Sequence, residues 1–413
     1  MTTPSLISIR PQPVGIFLLP VSFLLLPENS QSDADEILKS LLRGDTQALP
    51  ESAWRFYALA IQGNNDAALA AITGNGPLDL WNRFVLTQTM DAYKSLKNGI
   101  AQEFLPLLEA AAYAFGLSEE QPQPGALDGE LRAAVLLTAA SWQMEHEAVA
   151  EAAKLLEEAL SHARSTSPLL AAQILLELAR TEHAGSSAKA ILHLKDAIRL
   201  VDTSALSSLR AELWLTLGMV LQESANESRP ALIEASRAYQ EAIRCGLSLE
   251  HQPEQYAFAQ MNLALAYLSI PAREASDQLR MGIAVQGLRE ALKVFTRETH
   301  PEMWSSALLN LANALQYMPS GHQQENLQQA VKLYEELLEV RNKAFDPLGH
   351  ARLLANQGNA LAHLGIFQPA IEKLTEAHKL FHWHGEPRMA ASVLELTAEI
   401  NKQIESNVSE VRS

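Results

Sequence analysis

A paired-helix pattern is written three times between residues 252 and 381, and this repetition constrains the fold more than any other feature of the chain. Each first segment carries an asparagine followed two residues later by a small residue: Asn262/Ala264, Asn310/Ala312 and Asn356/Gly358. Each second segment carries a small residue, a large one four positions later and another apolar residue three after that: Ala284/Leu288/Ala291, Ala330/Tyr334/Leu337 and Ala370/Leu374/Ala377. These spacings place each set on one helical face. The pattern therefore predicts packed helix pairs in which small residues allow close approach.

The second-segment pattern also continues towards the amino end of the chain. Three earlier copies are Ala152/Leu156/Ala159, Ala190/Leu194/Ala197 and Ala235/Tyr239/Ala242. Prolines mark expected helix starts at Pro168, Pro253, Pro301 and Pro347, where the missing N–H of proline would have been unpaired anyway. Two independent signals therefore predict the same units, six helix pairs between roughly residues 129 and 381.

The best first helix carries Trp214, Leu217, Gly218 and Leu221, and with these residues the chain resembles the tetratricopeptide repeat family. The leading alanines of the six pairs are 38, 45, 49, 46 and 40 residues apart, against about 34 in the standard unit. The repeats are therefore more similar to the longer ones of the kinesin light chain class. The resemblance implies an all-α, right-handed superhelical solenoid whose first helices line a concave groove.

We predict four parts: an apolar arm (1–30), an atypical helical region (31–125), the repeat array (126–385) and a capping helix with a polar tail (386–413). Within the second part we predict one long helix from Asp79 to Ser95, and the capping helix is predicted from Glu386 to Ile404. Three interpretations of the arm stay open at this point. It is a short extended segment docked on the helical body, a targeting segment that is removed, or an exposed apolar segment that contacts a membrane or a partner.

Composition narrows the classes of function. The chain has 413 residues, of which 47% are hydrophobic, and a formal net charge of −16, which opposes binding to phosphate backbones. We therefore expect a protein or peptide partner and no nucleic acid, and membrane association is not expected. The lone Cys245 excludes an internal disulfide and is compatible with a cytoplasmic protein. Composition indicates neither the oligomeric state nor the partner.

The candidate site is a set of asparagines, which the resemblance places in the groove of the first helices. The set is Asn262, Asn310, Asn313, Asn356 and Asn359, with Arg352 one turn before Asn356. Amide side chains both donate and accept, so a row of them suits the backbone of an extended peptide. Two alternatives stay open: the asparagines bond only one another or water, and Arg352 is a solvated charge rather than a partner for a carboxylate. In the Trp214 repeat, Thr216 replaces the asparagine, so the row is expected in the carboxyl half only.

The predicted function is a non-catalytic scaffold or adaptor that holds a peptide segment of a partner. No cofactor is implied. His378 and His382 are one helical turn apart, but no further ligand pattern supports a metal site. Two other functions are kept as alternatives: an assembly or maturation factor that docks through the arm, and a regulatory subunit or enzyme with a site in residues 31–125.

Overall fold

The computed structural model describes most of the chain, and its contacts divide the protein into two compact units, Met1–Ser224 and Ala225–Ser413. The described residues are 9–28, 34–47, 49, 54–226, 228–271 and 276–412. Residues 1–8 and 29–30 of the predicted arm and residues 272–275 of one predicted connection lie outside them. None of the described helices has the length and hydropathy needed to cross a membrane.

The first unit begins with an antiparallel β-hairpin rather than a helix. Strand β1 is Ile16–Leu18 and strand β2 is Phe23–Leu25, with Phe17 opposite Leu24. Strand β1 contacts helix Pro168–His183 of the repeat array and strand β2 contacts helix Pro77–Thr87. Leu24, Leu25 and Leu26 are fully buried. The apolar run of the arm is therefore part of the hydrophobic core of this unit.

Six short helices follow the hairpin. They are α1 (Ala34–Arg43), α2 (Arg55–Ile61), α3 (Asn65–Ala71), α4 (Pro77–Thr87), α5 (Met90–Gly99) and α6 (Leu105–Ala114), with a 3₁₀ turn at Gln102–Phe104. The sequence suggested one helix from Asp79 to Ser95, which is wrong. Gln88 adopts a left-handed conformation with φ of 54° and Thr89 caps a new helix by accepting from the Ala92 N–H, so the chain turns there.

The repeat helices of the first unit begin after Asp128. They are α7 (Gly129–Glu145), α8 (Val149–Ala163), α9 (Pro168–His183), α10 (Ser187–Leu200) and α11 (Ser207–Glu223). Consecutive helices pack against each other, and α9 also contacts α7 and α11. Helices α7 and α9 are therefore the first helices of the pairs α7/α8 and α9/α10, and α11 lies beside α9 as the next first helix.

The second unit is a further series of helices, each packed against the next along the chain, and it ends in one long helix. Its elements are α12 (Arg229–Arg244), α13 (Pro253–Ser269), α14 (Ser276–Ala291), α15 (Pro301–Tyr317), α16 (Gln323–Val340), α17 (Pro347–His363), α18 (Phe367–Trp383) and α19 (Pro387–Arg412). The capping helix was expected to end near Ile404, but α19 extends to Arg412, so the predicted tail is largely helical.

The structure confirms the all-α fold of helix pairs and the reasons for it. Prolines occupy the first position of α9, α13, α15 and α17, as predicted. The leading alanine of all six second-helix sets is fully buried. A Cβ added to Gly358 would lie 2.8 Å from Leu374 Cγ, which shows why α17 needs a small residue where α18 approaches it.

Candidate functional site

Asn262 and Asn310 lie nine residues after the prolines that begin α13 and α15, and both are half-buried. The Asn262 Nδ2 donates to the Phe258 carbonyl at 3.0 Å, and the Asn310 Nδ2 donates to the Ser306 carbonyl at 2.8 Å. Each amide thus bonds the preceding turn of its own helix through nitrogen. This contact turns the Oδ1 atom away from the backbone of the helix.

The other three asparagines are linked between neighbouring first helices. Asn356 Nδ2 in α17 donates to Asn313 Oδ1 in α15 at 3.1 Å. One turn further on, Asn359 Nδ2 donates to the Tyr317 hydroxyl at 3.2 Å. The five asparagines therefore line adjoining surfaces of α13, α15 and α17, which we call the amide face. One amide thus bonds another across repeats, which is part of the alternative in which the asparagines bond only one another or water.

The amide face nevertheless keeps unused hydrogen-bonding atoms. Among the described residues, no hydrogen bond reaches the Oδ1 atoms of Asn262, Asn310, Asn356 and Asn359 or the Nδ2 atom of Asn313. None of these atoms is among the buried polar atoms without a partner, so solvent reaches each of them. The set therefore offers oxygen at four places and nitrogen at one.

Arg352 lies one turn before Asn356, as expected, and its side chain is exposed. No ion pair or hydrogen bond joins it to another described residue. Tyr317, at the other end of the amide face, is 58% exposed. The face therefore combines amides with a free guanidinium and an accessible phenol, which supply donors for acidic or carbonyl groups.

A charged cluster in the first unit was missed from the sequence. Counting nine residues from Pro168, as for the asparagines, leads to Glu177 in α9. Arg180 donates to Glu177 Oε1 at 2.7 Å and to Glu212 Oε1 of α11 at 2.6 Å. Burial raises the pKa of Glu177, although the Arg180 guanidinium opposes that effect. The same register that places Thr216 in α11 would have found Glu177.

The amino-terminal hairpin was the alternative docking element, and its described part is held firmly within the first unit. The Gly15 N–H donates to Glu130 Oε2 at 2.9 Å, the Glu130 N–H donates to Gln12 Oε1 at 2.8 Å, and Gln12 Nε2 donates to the Asp128 carbonyl. Gly129 has φ of +56° and any Cβ there would overlap Gln12. The backbone at the start of α7 thus receives the hairpin.

The Glu130 carboxyl group, which accepts the hydrogen bond from Gly15, is fully buried. Burial raises the pKa of Glu130, and the Gly15 N–H and the nearby Arg10 charge act in the opposite direction. An apolar hairpin anchored in this way contributes to the core of the unit, and Val21 at its tip is its one large hydrophobic side chain that is mainly exposed among residues 9–28.

The titratable groups of residues 31–125 bear on the alternative of a catalytic site in that region. The pKa values of Tyr57, Tyr93 and Tyr113 are raised by burial, and the pKa of Lys97 is raised by hydrogen bonds to Glu109 and Tyr93. These shifts move each group away from neutral pH, whereas a general acid or base needs a pKa near the working pH. The described part of this region gives the enzyme alternative no positive support.

In the part of the chain that the structure describes, no three His, Cys, Asp or Glu side chains converge as the ligands of a metal ion would. The His378 and His382 rings stack with centroids 6.1 Å apart, and His378 Nδ1 lies 3.2 Å from the Ala390 carbonyl. These contacts explain His378 as a residue that joins α18 to α19.

No protein-family model matches the sequence, and no curated protein matches it. Similar solved structures include a Rap protein complexed with competence and sporulation factor, with 13% identity, coverage of 85% of this chain and 97% of that one, and a TM-score of 0.43. A STAND protein with a tetratricopeptide repeat sensor from Pyrococcus horikoshii has 11% identity, coverage of 91% and 56%, and a TM-score of 0.43. With TM-scores below 0.5 they define no ligand for this chain. The repeats are tetratricopeptide-like on the strength of their own helix pairs and register.

Proposed function

We propose that this tetratricopeptide-like chain is a non-catalytic binding protein whose amide face holds an extended peptide segment of a protein partner. The observation that carries the proposal is that all five asparagines lie on first helices of the second unit and that each leaves one polar atom open to solvent. An extended backbone exposes N–H and C=O groups along its length, and amides can pair with both.

Arg352 adds an element of selectivity within this proposal. Its guanidinium is exposed beside Asn356 and has no ion-pair partner among the described residues, so it is free to bind a carboxylate of the ligand. The remaining side chains of the ligand would meet the surfaces that flank the amide face. Binding of this kind does not depend on a cofactor.

A selection with random peptides tests the proposal and does not require the natural partner. The full chain is immobilised and challenged with a displayed library of random twelve-residue peptides, and recovered peptides are titrated by fluorescence anisotropy. We expect the double variant Asn310→Ala/Asn356→Ala to weaken binding by roughly tenfold or more, since each lost hydrogen bond is worth about 0.5–1.5 kcal/mol.

The matched control removes an amide from a second helix. Gln328→Ala in α16 changes an exposed side chain away from the amide face and should leave the affinity unchanged. Failure to recover any peptide, or recovery of peptides that bind the double variant as tightly as the original protein, would refute the proposal.

A further inference from the structure

Tyr334 lies beneath the amide face and is fully buried in α16. Its hydroxyl lies 2.7 Å from Asn313 Oδ1 and 2.8 Å from Gln316 Oε1. Burial raises the pKa of the Tyr334 hydroxyl, so the hydroxyl keeps its proton and remains a donor. A tyrosine thus contacts the one asparagine of the amide face whose oxygen is turned inward.

A phenol carries one proton, so it cannot donate to both oxygens at once. Gln316 is 2% exposed and its Nε2 atom has no hydrogen-bond partner. Turning that amide about its terminal bond brings Nε2 to the position facing the phenol, where it donates to the hydroxyl oxygen. The Tyr334 proton is then committed to Asn313, which also accepts from Asn356 Nδ2.

Two donors on Asn313 Oδ1 fix the orientation of its side chain, because both acceptor positions of the oxygen are filled. The Nδ2 group must then face away from Tyr334, where no described residue binds it and solvent reaches it. At the other four asparagines the open atom is oxygen. Asn313 is therefore the donor within a row of acceptors.

We propose that Tyr334 is a positioning residue that holds the Asn313 N–H₂ group outward to donate to a backbone carbonyl of the bound segment. This inference rests on the proposed function of the amide face, and it adds which asparagine donates to the ligand and which asparagines accept from it. A ligand carbonyl would lie opposite Asn313, and ligand N–H groups would lie opposite the oxygens of the neighbouring asparagines.

The isosteric change Asn313→Asp tests the donor directly. A carboxylate still accepts from Tyr334 and from Asn356, so the internal contacts survive while the outward atom changes from a donor to an acceptor. With the peptide recovered from the library, we expect the dissociation constant to rise by roughly ten- to a hundredfold, because a carbonyl would face an oxygen. The far-ultraviolet circular dichroism should be unchanged. Unaltered affinity in this variant would overturn the donor role.

Tyr334→Phe tests the positioning role. We expect a several-fold loss of peptide affinity, and no further loss when Tyr334→Phe is added to Asn313→Asp, since the group being oriented is already gone. In the ligand-free protein, nuclear magnetic resonance can follow the side-chain carbonyl carbon of Asn313. Its resonance should shift upfield in Tyr334→Phe, because Asn313 Oδ1 loses one hydrogen-bond donor. An unmoved resonance would overturn the inference, whether or not a peptide has been found.

The two proposals fail differently. If no peptide binds but the Asn313 resonance responds to Tyr334→Phe, the amide is oriented as inferred and the proposed function is wrong. If peptides bind and the amide face variants weaken them, but Asn313→Asp and Tyr334→Phe do not, the proposed function stands and the role of Tyr334 is wrong.

Discussion

The first helices of the two units have the same register but meet different surroundings. Nine residues from the helix start, α13, α15 and α17 carry Asn262, Asn310 and Asn356, each with an open oxygen. At the same position α9 carries Glu177, which is bound by Arg180, and strand β1 and helix α1 contact α9. The first helices of the second unit therefore offer unused polar atoms, whereas Glu177 of α9 is engaged by an ion pair and α9 also contacts the chain's own amino-terminal segments.

This difference shows that a repeat frame alone does not make a binding surface. The threonines Thr138 and Thr216 occupy the same position in α7 and α11 and donate to their own helices, as Asn262 and Asn310 do. A hydroxyl bonded in this way offers less to a ligand than an amide, which keeps both an N–H and an oxygen. Whether the shared position can bind a ligand therefore depends on which side chain occupies it and on which segments of the chain cover that side chain.

The largest effect is expected where the hairpin is buried. Leu25→Ala should lower the free energy of unfolding of the first unit by about 2–5 kcal/mol, because it leaves a cavity at a fully buried site. Urea unfolding followed by tryptophan fluorescence, to which the buried Trp54 and Trp81 of this unit contribute, measures the loss. Val21→Ala, at the exposed tip of the same hairpin, is the matched control. Equal stability of both variants would mean that the hairpin is not structural.

A pH-dependent effect should follow from Glu130. Its folded-state pKa is raised by burial, so its contribution to stability is complete below the unfolded-state pKa and is lost as the pH rises through the folded-state value. The stability of the original protein relative to Glu130→Gln should therefore increase as the pH falls through the folded-state pKa towards the unfolded-state value, by no more than about 1.4 kcal/mol per pH unit. Urea titrations at several pH values measure this, with Glu120→Gln at an exposed carboxyl as the control. A difference that does not change with pH contradicts it.

The ion cluster of α9 and α11 should contribute modestly. Arg180→Met leaves the half-buried Glu177 beside Glu212 without a cation and should cost about 1 kcal/mol, the upper end for pairs of this exposure. Arg244→Met, which removes a more exposed pair with Glu241, should cost less. Hydrogen–deuterium exchange reports whether the loss is confined to the first unit. Equal stability of the two variants would mean that the Arg180 cluster does not stabilise the first helices of the first unit more than an exposed ion pair would.

The smallest change is expected on the amide face itself. Asn310→Ala removes a side-chain bond to its own helix and supplies a better helix former, so the stability should stay within about 0.5 kcal/mol of the original value. Thermal unfolding followed by circular dichroism measures it. A loss comparable to that of Leu25→Ala would show that the asparagine is structural, and the contrast between the two units would disappear.

The repeat architecture was accessible from the sequence because its causes are local. Proline positions and the sets of a small, a large and a further apolar residue depend on helical geometry alone, and both mark the observed helices. The hairpin was not predicted because its strands are only three residues long and are stabilised by distant helices, α4 about 50 residues away for β2 and α7 and α9 more than 100 residues away for the segment around β1. The break at Gln88 was missed because a left-handed conformation at a glutamine has no strong sequence signal.

Only part of the candidate site could be predicted from the sequence. The asparagines were identified from their spacing, but the orientation of each amide depends on partners from other helices, such as Tyr334 for Asn313 and Tyr317 for Asn359. Those contacts join residues 21 and 42 positions apart, and no periodicity specifies them. The position of Glu177 follows from its register with Pro168, but the asparagine pattern contains no signal for an ion pair there.

The attachment of the hairpin to the start of α7 sets an order of events during synthesis. Gly15 and Glu130, which are joined by a hydrogen bond, are 115 residues apart, and Arg43 bonds Ser204 across 161 residues. At ribosomal speeds of about 5–20 residues per second, the segment around strand β1 waits on the order of ten seconds before helices α7 and α9, which it contacts, have been made. During that interval strand β1, with the buried Phe17, lacks these helices, so this segment is where a nascent chain would most need protection from aggregation.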